Sequence, residues 1–276
     1  MIRVNLYSIA QVIAHTGLSC SFNVNKARGL WFCTFGERNE SICLSQTIGG
    51  GVDLSLSRAI NKAFSEYVER YAHRSDDFSK EHSFDSTGYS AFPKKMFNTK
   101  SYDIVRKHSF NEAVERYAVL KFWHDFDVDY KIYQEDNFQL IFPVLSDSDL
   151  SVCIAIQDFG STGVAVGFSC NESIKKATIK AKSECISHSI ASNLMLSGLH
   201  SDNDLYEKRL KYLISDGRYC YSNRLSHKGK KMIRLPKVEI SREVKCEEFD
   251  SYCVYQIRLK GQDNFLDDRF VEVGYL

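Results

Sequence analysis

Proline is scarce in this 276-residue sequence, at Pro93, Pro143 and Pro236 only. No Pro-, Gly- or Ser-rich linker divides the chain and no low-complexity tract appears, so one domain spanning 1–276 is expected. Long hydrophobic runs are missing: nothing approaches the ~20 apolar residues of a membrane span. The opening stretch MIRVNLYSIAQVIAHTGLSC is broken by Asn, Ser, Gln and His and lacks the apolar core of a secretory signal. An excess of either charge is missing too. The 36 Lys and Arg stand against 35 Asp and Glu, a net charge of +1, which argues against a nucleic-acid backbone or a membrane as main partner. There is no G-x-x-x-x-G-K-[ST] loop, so any ATP site is not a P-loop. Nine cysteines are present, but none form a C-x-x-C pair. Their odd number and scatter exclude a disulfide framework and a zinc knuckle, and fit reduced thiols in a cytoplasmic protein, several packed as small core residues.

What is present is enough for a sizeable core, since 43% of residues are hydrophobic. GLWFCTFGERNESICLSQTI (29–48) reads as a β-hairpin, and GGG (49–51) as a turn before a helix over about 55–74. A polar, turn-rich stretch (75–102) leads to a second helix over about 103–125. Four β runs follow at 128–133, 139–146, 151–159 and 163–170, with short turns that predict antiparallel pairing for at least the last three. Asn171 is a candidate N-cap for a third helix, running to about residue 196. The charged stretch 200–250 reads as helical to about 213, and 252–259 and 269–276 read as closing strands. The expected class is α+β, with helices packed on a mostly antiparallel sheet.

Two segments are nearly the same: SEYVERYA (65–72) and NEAVERYA (111–118). On a helix, Glu66 and Glu69 share a face, with Arg70 four residues beyond Glu66. Alone, that is an ordinary solvated ion pair worth a few tenths of a kcal/mol. The second copy, Glu112, Glu115 and Arg116, has a different setting. Val105, Phe122 and Trp123 fall on its polar side, so this helix is apolar nearly all round and reads as buried. Carboxylates on a buried helix need a cation or hydrogen-bond donors. Two such helices face to face would converge four carboxylates and two guanidinium groups, a composition that suits Mg²⁺ held together with phosphate. Gly50 and Gly51, placed before the first helix, would add backbone N–H donors for an anion.

With these motifs in order the chain resembles the YcaO family, ATP-using enzymes that modify backbone amides of peptides. The resemblance runs over about 29–190. Its first part is GGGVDLSLSRAINKAFSEYVERYA, with Ala59 and Ala63 in place. Its second is STGYSAF (86–92) followed by HSFNEAVERYA (108–118). Its third is VGFSCNESIKKATIKAKSEC, giving Ala177, Lys180 and Glu184. The resemblance implies that Glu66, Glu69, Glu112 and Glu115 hold magnesium and, through it, the phosphates of ATP. It implies nucleotide contacts for Ser90, Arg116 and Lys180. Arg70, for which an ATP contact is also expected, His108 and Glu184 are open to a structural or a functional role. The chain departs from the pattern at Ile104, where many members carry a further glutamate, with Asp103 beside it and turned about 100° away. A proline-rich tail, common among azoline-forming members, is not found, nor is a fused leader-binding domain.

The resemblance implies ATP-dependent activation of backbone amides in a ribosomally made peptide. Its leading form is cyclodehydration of Cys, Ser or Thr to thiazoline or oxazoline. Expected partners are the precursor peptide and a separate leader-peptide-binding E1-like protein, with room for a flavin dehydrogenase in the same complex and for a homodimer. Two alternatives stay open: thioamidation or amidine formation on the same fold, and a non-catalytic subunit that only binds peptide or partner.

Overall fold

The computed structural model describes residues 20–27, 29–37, 47–76, 86–94, 100–196 and 204–263. Strands β1 (Cys20–Ala27), β2 (Leu30–Glu37) and β3 (Thr47–Asp53) form an antiparallel sheet in that order. Gly29, at φ 80°, turns β1 into β2 in the left-handed region that favours glycine. Helix α1 (Leu56–Ser75) follows. Its buried stripe of Ala59, Ile60, Ala63, Phe64, Tyr67, Val68 and Ala72 keeps the 3.6-residue period. Next come β4 (Gly88–Pro93) and α2 (Lys100–His124). Then β5 (Tyr130–Glu135), β6 (Phe138–Pro143), the short β7 (Leu145–Ser146), β8 (Ser151–Asp158) and β9 (Val164–Asn171) lead to α3 (Ile174–Leu196). Helices α4 (Asp204–Ser215) and α5 (Gly217–Ser226) precede β10 (Ile233–Arg234), β11 (Val238–Val244) and β12 (Tyr252–Leu259).

The α+β class holds. A four-stranded antiparallel sheet runs β5-β6-β8-β9 and a three-stranded one runs β11-β12-β4, while β10 pairs parallel with β7. The four-stranded sheet is covered on both faces. Val152, Ile154, Val166 and Phe168 pack with Val114, Val119 and Phe122 of α2. Cys153, Ala155 and Ala165 pack on the other face with Ala177, Ala181 and Cys185 of α3. Burial on both faces explains why 152–156 and 164–168 are continuous apolar runs rather than alternating ones. A third cluster joins Phe64, Tyr67 and Val68 of α1 to Phe35, Tyr89, Ala91, Phe249 and Val254. Fully burying one such aromatic contributes ~2–3 kcal/mol.

Several sequence expectations are corrected. GGG is not a turn but the centre of β3, paired with β2 through Phe35, Thr34 and Cys33. The hairpin expected over 29–48 has its first strand in β2, which pairs with both β1 and β3; residues 38–46 lie outside the described ones. Asn171 ends β9, and Ser173 caps α3: its backbone N–H donates to Asn171 Oδ1 at 3.1 Å, and its Oγ accepts from Lys176 N. GYSAFP forms β4 inside the stretch read as turns, and α5 and β11 lie in the region where no motif was legible. The strand expected at 269–276 lies outside the described residues. Among the described residues the cysteines are free thiols, and five are buried: Cys33, Cys153, Cys170, Cys185 and Cys253. No helix among them is long and apolar enough to cross a membrane.

Candidate functional site

Among the described residues, three strands leave one edge without a strand neighbour: β3, β4 and β9 end their respective sheets. An open edge exposes a row of backbone N–H groups that need acceptors. Here glutamates from the helices supply them. Gly50 N donates to Glu66 Oε2 at 2.8 Å, Tyr89 N to Glu112 Oε2 at 2.8 Å and Phe168 N to Glu184 Oε2 at 2.7 Å. Ala91 N donates to Glu69 Oε1 at 2.7 Å and Cys170 N to Glu115 Oε2 at 3.0 Å.

These bonds repeat one geometry three times. In each unit a strand glycine, Gly49, Gly88 or Gly167, lies against the backbone of the helix that follows it. A Cβ there would collide with the carbonyl three residues before the glutamate and the nitrogen one residue after it. The colliding groups are those of Ala63 and Tyr67, Ser109 and Ala113, and Ala181 and Cys185. The residue after the glycine gives its N–H to that glutamate. In the first two units a second glutamate, three residues on, reaches the next unit's strand at the residue three beyond its glycine. Glu69 thus joins α1 to β4, and Glu115 joins α2 to β9. The third unit places Ser187 where the others have this second glutamate, and His188 where they have Arg70 and Arg116. Arg116 donates to Thr87 O, the residue before Gly88, and His188 Nδ1 meets Val166 O, the residue before Gly167. A carbonyl only accepts, so Nδ1 carries the proton. Burial lowers the His188 pKa to about 4, so it stays neutral where Arg116 is charged.

The arginines complete the first two units. Arg70 Nε and Nη2 donate to Glu66 Oε1 at 3.1 and 2.9 Å, partly exposed. Arg116, 7% exposed, donates from Nη2 to Glu112 Oε1 at 2.5 Å. The buried setting expected for the second copy is present, and the first copy is the more open of the two.

Electrostatics mark the five glutamates as one cluster. Glu69 is held well above the usual carboxylate range, by burial first and then by the charge of Glu112. Glu115 is pushed up to about 7 by burial and by Glu112, against the pull of Arg116 and Lys180. Glu184 is raised by burial and then by Glu115. These side chains keep some accessible surface, yet burial is the leading cause for all three. Among the described residues no three acidic, histidine or cysteine side chains stand close enough to coordinate one ion by themselves.

The other sequence candidates fall out as follows. Ser90, 6% exposed, sits on β4 between the two donors Tyr89 and Ala91. Lys180 is exposed on α3, and its charge acts on Glu115, Cys170 and His108. Burial lowers the His108 pKa, and Lys180 adds to the shift. Glu184, left open between two roles, belongs to the cluster. Gly50 and Gly51 do not form the expected anion cradle at a helix start. The N–H of Gly50 is given to Glu66, and Gly51 packs against Ala59 and Ala63. At the start of α1, Asp53 already accepts from Ser55 N at 3.0 Å and pairs with Arg58 and Lys62. Ile104 is 43% exposed and brings no ligand. Asp103 lines a shallow groove with Arg106, Lys107 and Phe110 against Val238, Ser241 and Ile257. It does not replace a carboxylate at 104.

Sequence reasoning missed the backbone donors, although a signal existed. Gly88-Tyr-Ser-Ala91 and Gly167-Phe-Ser-Cys170 share the pattern glycine, aromatic, serine, small residue, and each supplies two N–H groups. It also missed Arg224, 1% exposed, which donates to Phe122 O and to Asp125 O at 3.3 Å at the end of α2. That role is structural: the guanidinium satisfies terminal helix carbonyls.

No protein-family model and no curated protein matches the chain. Solved structures do. YcaO from Methanopyrus kandleri, bound with AMPPCP and Mg²⁺, matches with a TM-score of 0.61 at 13% identity, over 100% of this chain and 95% of that one. The E. coli microcin synthetase McbBCD complex matches with a TM-score of 0.58 at 12% identity, over 90% of this chain and 88% of that one. The same complex with pro-MccB17 bound gives 0.57 at 12% identity, with the same coverage. The chain therefore has the YcaO fold.

Proposed function

We propose that this protein uses its YcaO fold to bind Mg–ATP at the five-glutamate cluster and to activate backbone amides of a ribosomally made peptide. The observation that carries the reading is the cluster itself. Five carboxylates are aligned by backbone N–H groups of three strand edges, and burial first, then the charge of neighbouring glutamates, makes at least three of them resist ionisation. A purely structural role would be served by neutral acceptors without that repulsion. The donor set fits the group. Magnesium takes oxygen ligands, keeps several waters, and needs only one or two carboxylates beside the phosphates.

Glu66, Glu69, Glu112 and Glu115 would hold magnesium ions between them, with Glu184 closing the cluster. Each keeps its direction because one oxygen is fixed by a strand N–H. Arg116 and Lys180 would meet phosphate oxygens, and Ser90 would contact the nucleotide from β4. Arg70 and Gly50 act through Glu66, which both of them bind. ATP, when bound, supplies the γ-phosphoryl group that turns a carbonyl oxygen into a leaving phosphate. The protein's own part is placement and charge neutralisation, in keeping with a site that holds no evident nucleophile. The buried thiols are poor nucleophiles: burial lifts Cys153 to about 12 and also raises Cys170 and Cys185.

In the leading form, a Cys, Ser or Thr of the peptide attacks the preceding carbonyl, the oxyanion takes phosphate, and phosphate leaves with formation of the C=N bond. The balance is one ATP consumed and one water equivalent lost from the peptide per ring. A leader-binding partner and a cytoplasmic setting belong to this reading. The test is ATP turnover by the purified chain with its partners and a Cys/Ser/Thr-containing precursor peptide. Phosphate release with loss of 18 mass units per ring, as set by the dehydration chemistry, is expected. Turnover with oxygen replaced by sulfur assigns thioamidation instead, and no turnover leaves a binding subunit.

A further inference from the structure

One polar side chain on α2 has no account in packing. Asn111 is 7% exposed, its Oδ1 is enclosed, and it has no hydrogen-bond partner among the described residues. A buried amide oxygen without a partner destabilises a fold, and an apolar residue in the same place does not. A ligand from outside the chain would complete it.

Its position says what that is. Asn111 lies one turn before Glu115, on the same side of the helix. That side faces the end of β9, because Glu115 reaches Cys170 N there. One turn earlier, Lys107 pairs with Glu172 just beyond β9, over the same end. Asn111 and Glu115 thus stand one turn apart on the face of α2 that meets the end of β9. Two ligands at i and i+4 are how one helix offers a pair of donors to a single ion. A hard divalent cation accepts both carboxylate and amide oxygens. The neutral amide adds a ligand without adding negative charge to five glutamates already in mutual repulsion.

We propose that Asn111 Oδ1 is an oxygen ligand that shares a divalent cation with Glu115. The assignment rests on reading the cluster as a magnesium–nucleotide site. Mn²⁺ serves as the probe, with free Mn²⁺ followed by its electron paramagnetic resonance signal during titration of the full chain with a non-hydrolysable ATP analogue. Asn111→Leu is expected to raise the melting temperature of the metal-free protein while weakening Mn²⁺ binding at least tenfold. Asn111→Asp is expected to bind Mn²⁺ at least as tightly as the parent. Asn111→Ala carries the same binding test without added bulk if the leucine variant does not fold. Parent-like Mn²⁺ affinity in Asn111→Leu or Asn111→Ala overturns the assignment and leaves the nucleotide reading standing. A parent protein that binds no Mn²⁺ with the nucleotide overturns both.

Discussion

Glu69 of α1 accepts the backbone N–H of Ala91 at 2.7 Å, and in doing so fastens the first strand–helix unit to the strand of the second. It is a structural joint made from a group whose ionisation the site opposes, since burial and Glu112 both raise its pKa. Stability and ligand binding therefore pull against each other at this residue.

That opposition is measurable. Glu69→Gln keeps an oxygen for Ala91 N and removes an ionisable carboxyl from the cluster. The metal-free variant is expected to be more stable than the parent near neutral pH, because it no longer has to hold a carboxyl against its ionisation. It should also lose magnesium–nucleotide binding. Denaturant melts with and without Mg–nucleotide check both halves. A less stable variant with unchanged binding would contradict the account.

Glu115 sets a pH dependence. Its carboxyl is pushed up from 4.5 to about 7, so between those values the native state holds a proton that the unfolded chain has released. Native protonation above the unfolded value means that stability falls as pH rises through this window and levels off above it. For Glu115 alone the loss is about 3 kcal/mol. Melting temperatures of the metal-free protein should decline from pH 5 to about 7. Binding of Mg²⁺ with nucleotide at about pH 6.5 should release protons, seen in calorimetry as heats that depend on the ionisation enthalpy of the buffer.

The strand glycines separate packing from binding. A Cβ on Gly88 would stand 2.6 Å from Ala113 N and closer still to Ser109 O, whereas one on Gly50 would meet only Glu66 Oε2 at 3.7 Å. Gly88→Ala is expected to cost ~3 kcal/mol or more, because helix backbone must move. Gly50→Ala should fold with nearly parental stability. Urea unfolding of the two variants decides it.

Arg224 gives a prediction remote from the cluster. Its guanidinium lies 4.0 Å over the Phe122 ring and donates to carbonyls at the end of α2, including Asp125 O, and to His227 O at 3.0 Å. Arg224→Met fills similar volume but leaves those carbonyls short of donors, for a loss of about 2–4 kcal/mol. Mg–nucleotide affinity, measured below the new melting point, should stay within about twofold.

The elements that repeat a simple period were legible in the sequence: α1 with its stripe from Ala59 to Ala72, and the apolar runs that became β8 and β9. The two Glu-x-x-Glu-Arg copies were legible because identical helical spacing creates identical faces. GGG misled because glycine serves two purposes, freedom at a turn and absence of a side chain at a close crossing, and composition does not tell them apart. The crossing of β3 on α1 at Gly49 and Gly51 is a long-range event. β4 was hidden for a related reason: its residues satisfy one edge through β12, far away in sequence, and the other through Glu69 and Glu112. The unpartnered amide of Asn111 was invisible, since only the packed structure distinguishes it from a surface asparagine.

Three like units set around a common centre, with α3 returning to contact β3, would offer a ligand three equivalent poses. Ser187 and neutral His188 remove that degeneracy. Two joints between units are made by carboxyl groups and one is not, so the cluster has a front and a back. Under the proposed function, a nucleotide with its cations would meet carboxyl groups on one side and a hydroxyl and a neutral imidazole on the other. Its orientation would then be written into the chain before any substrate arrives.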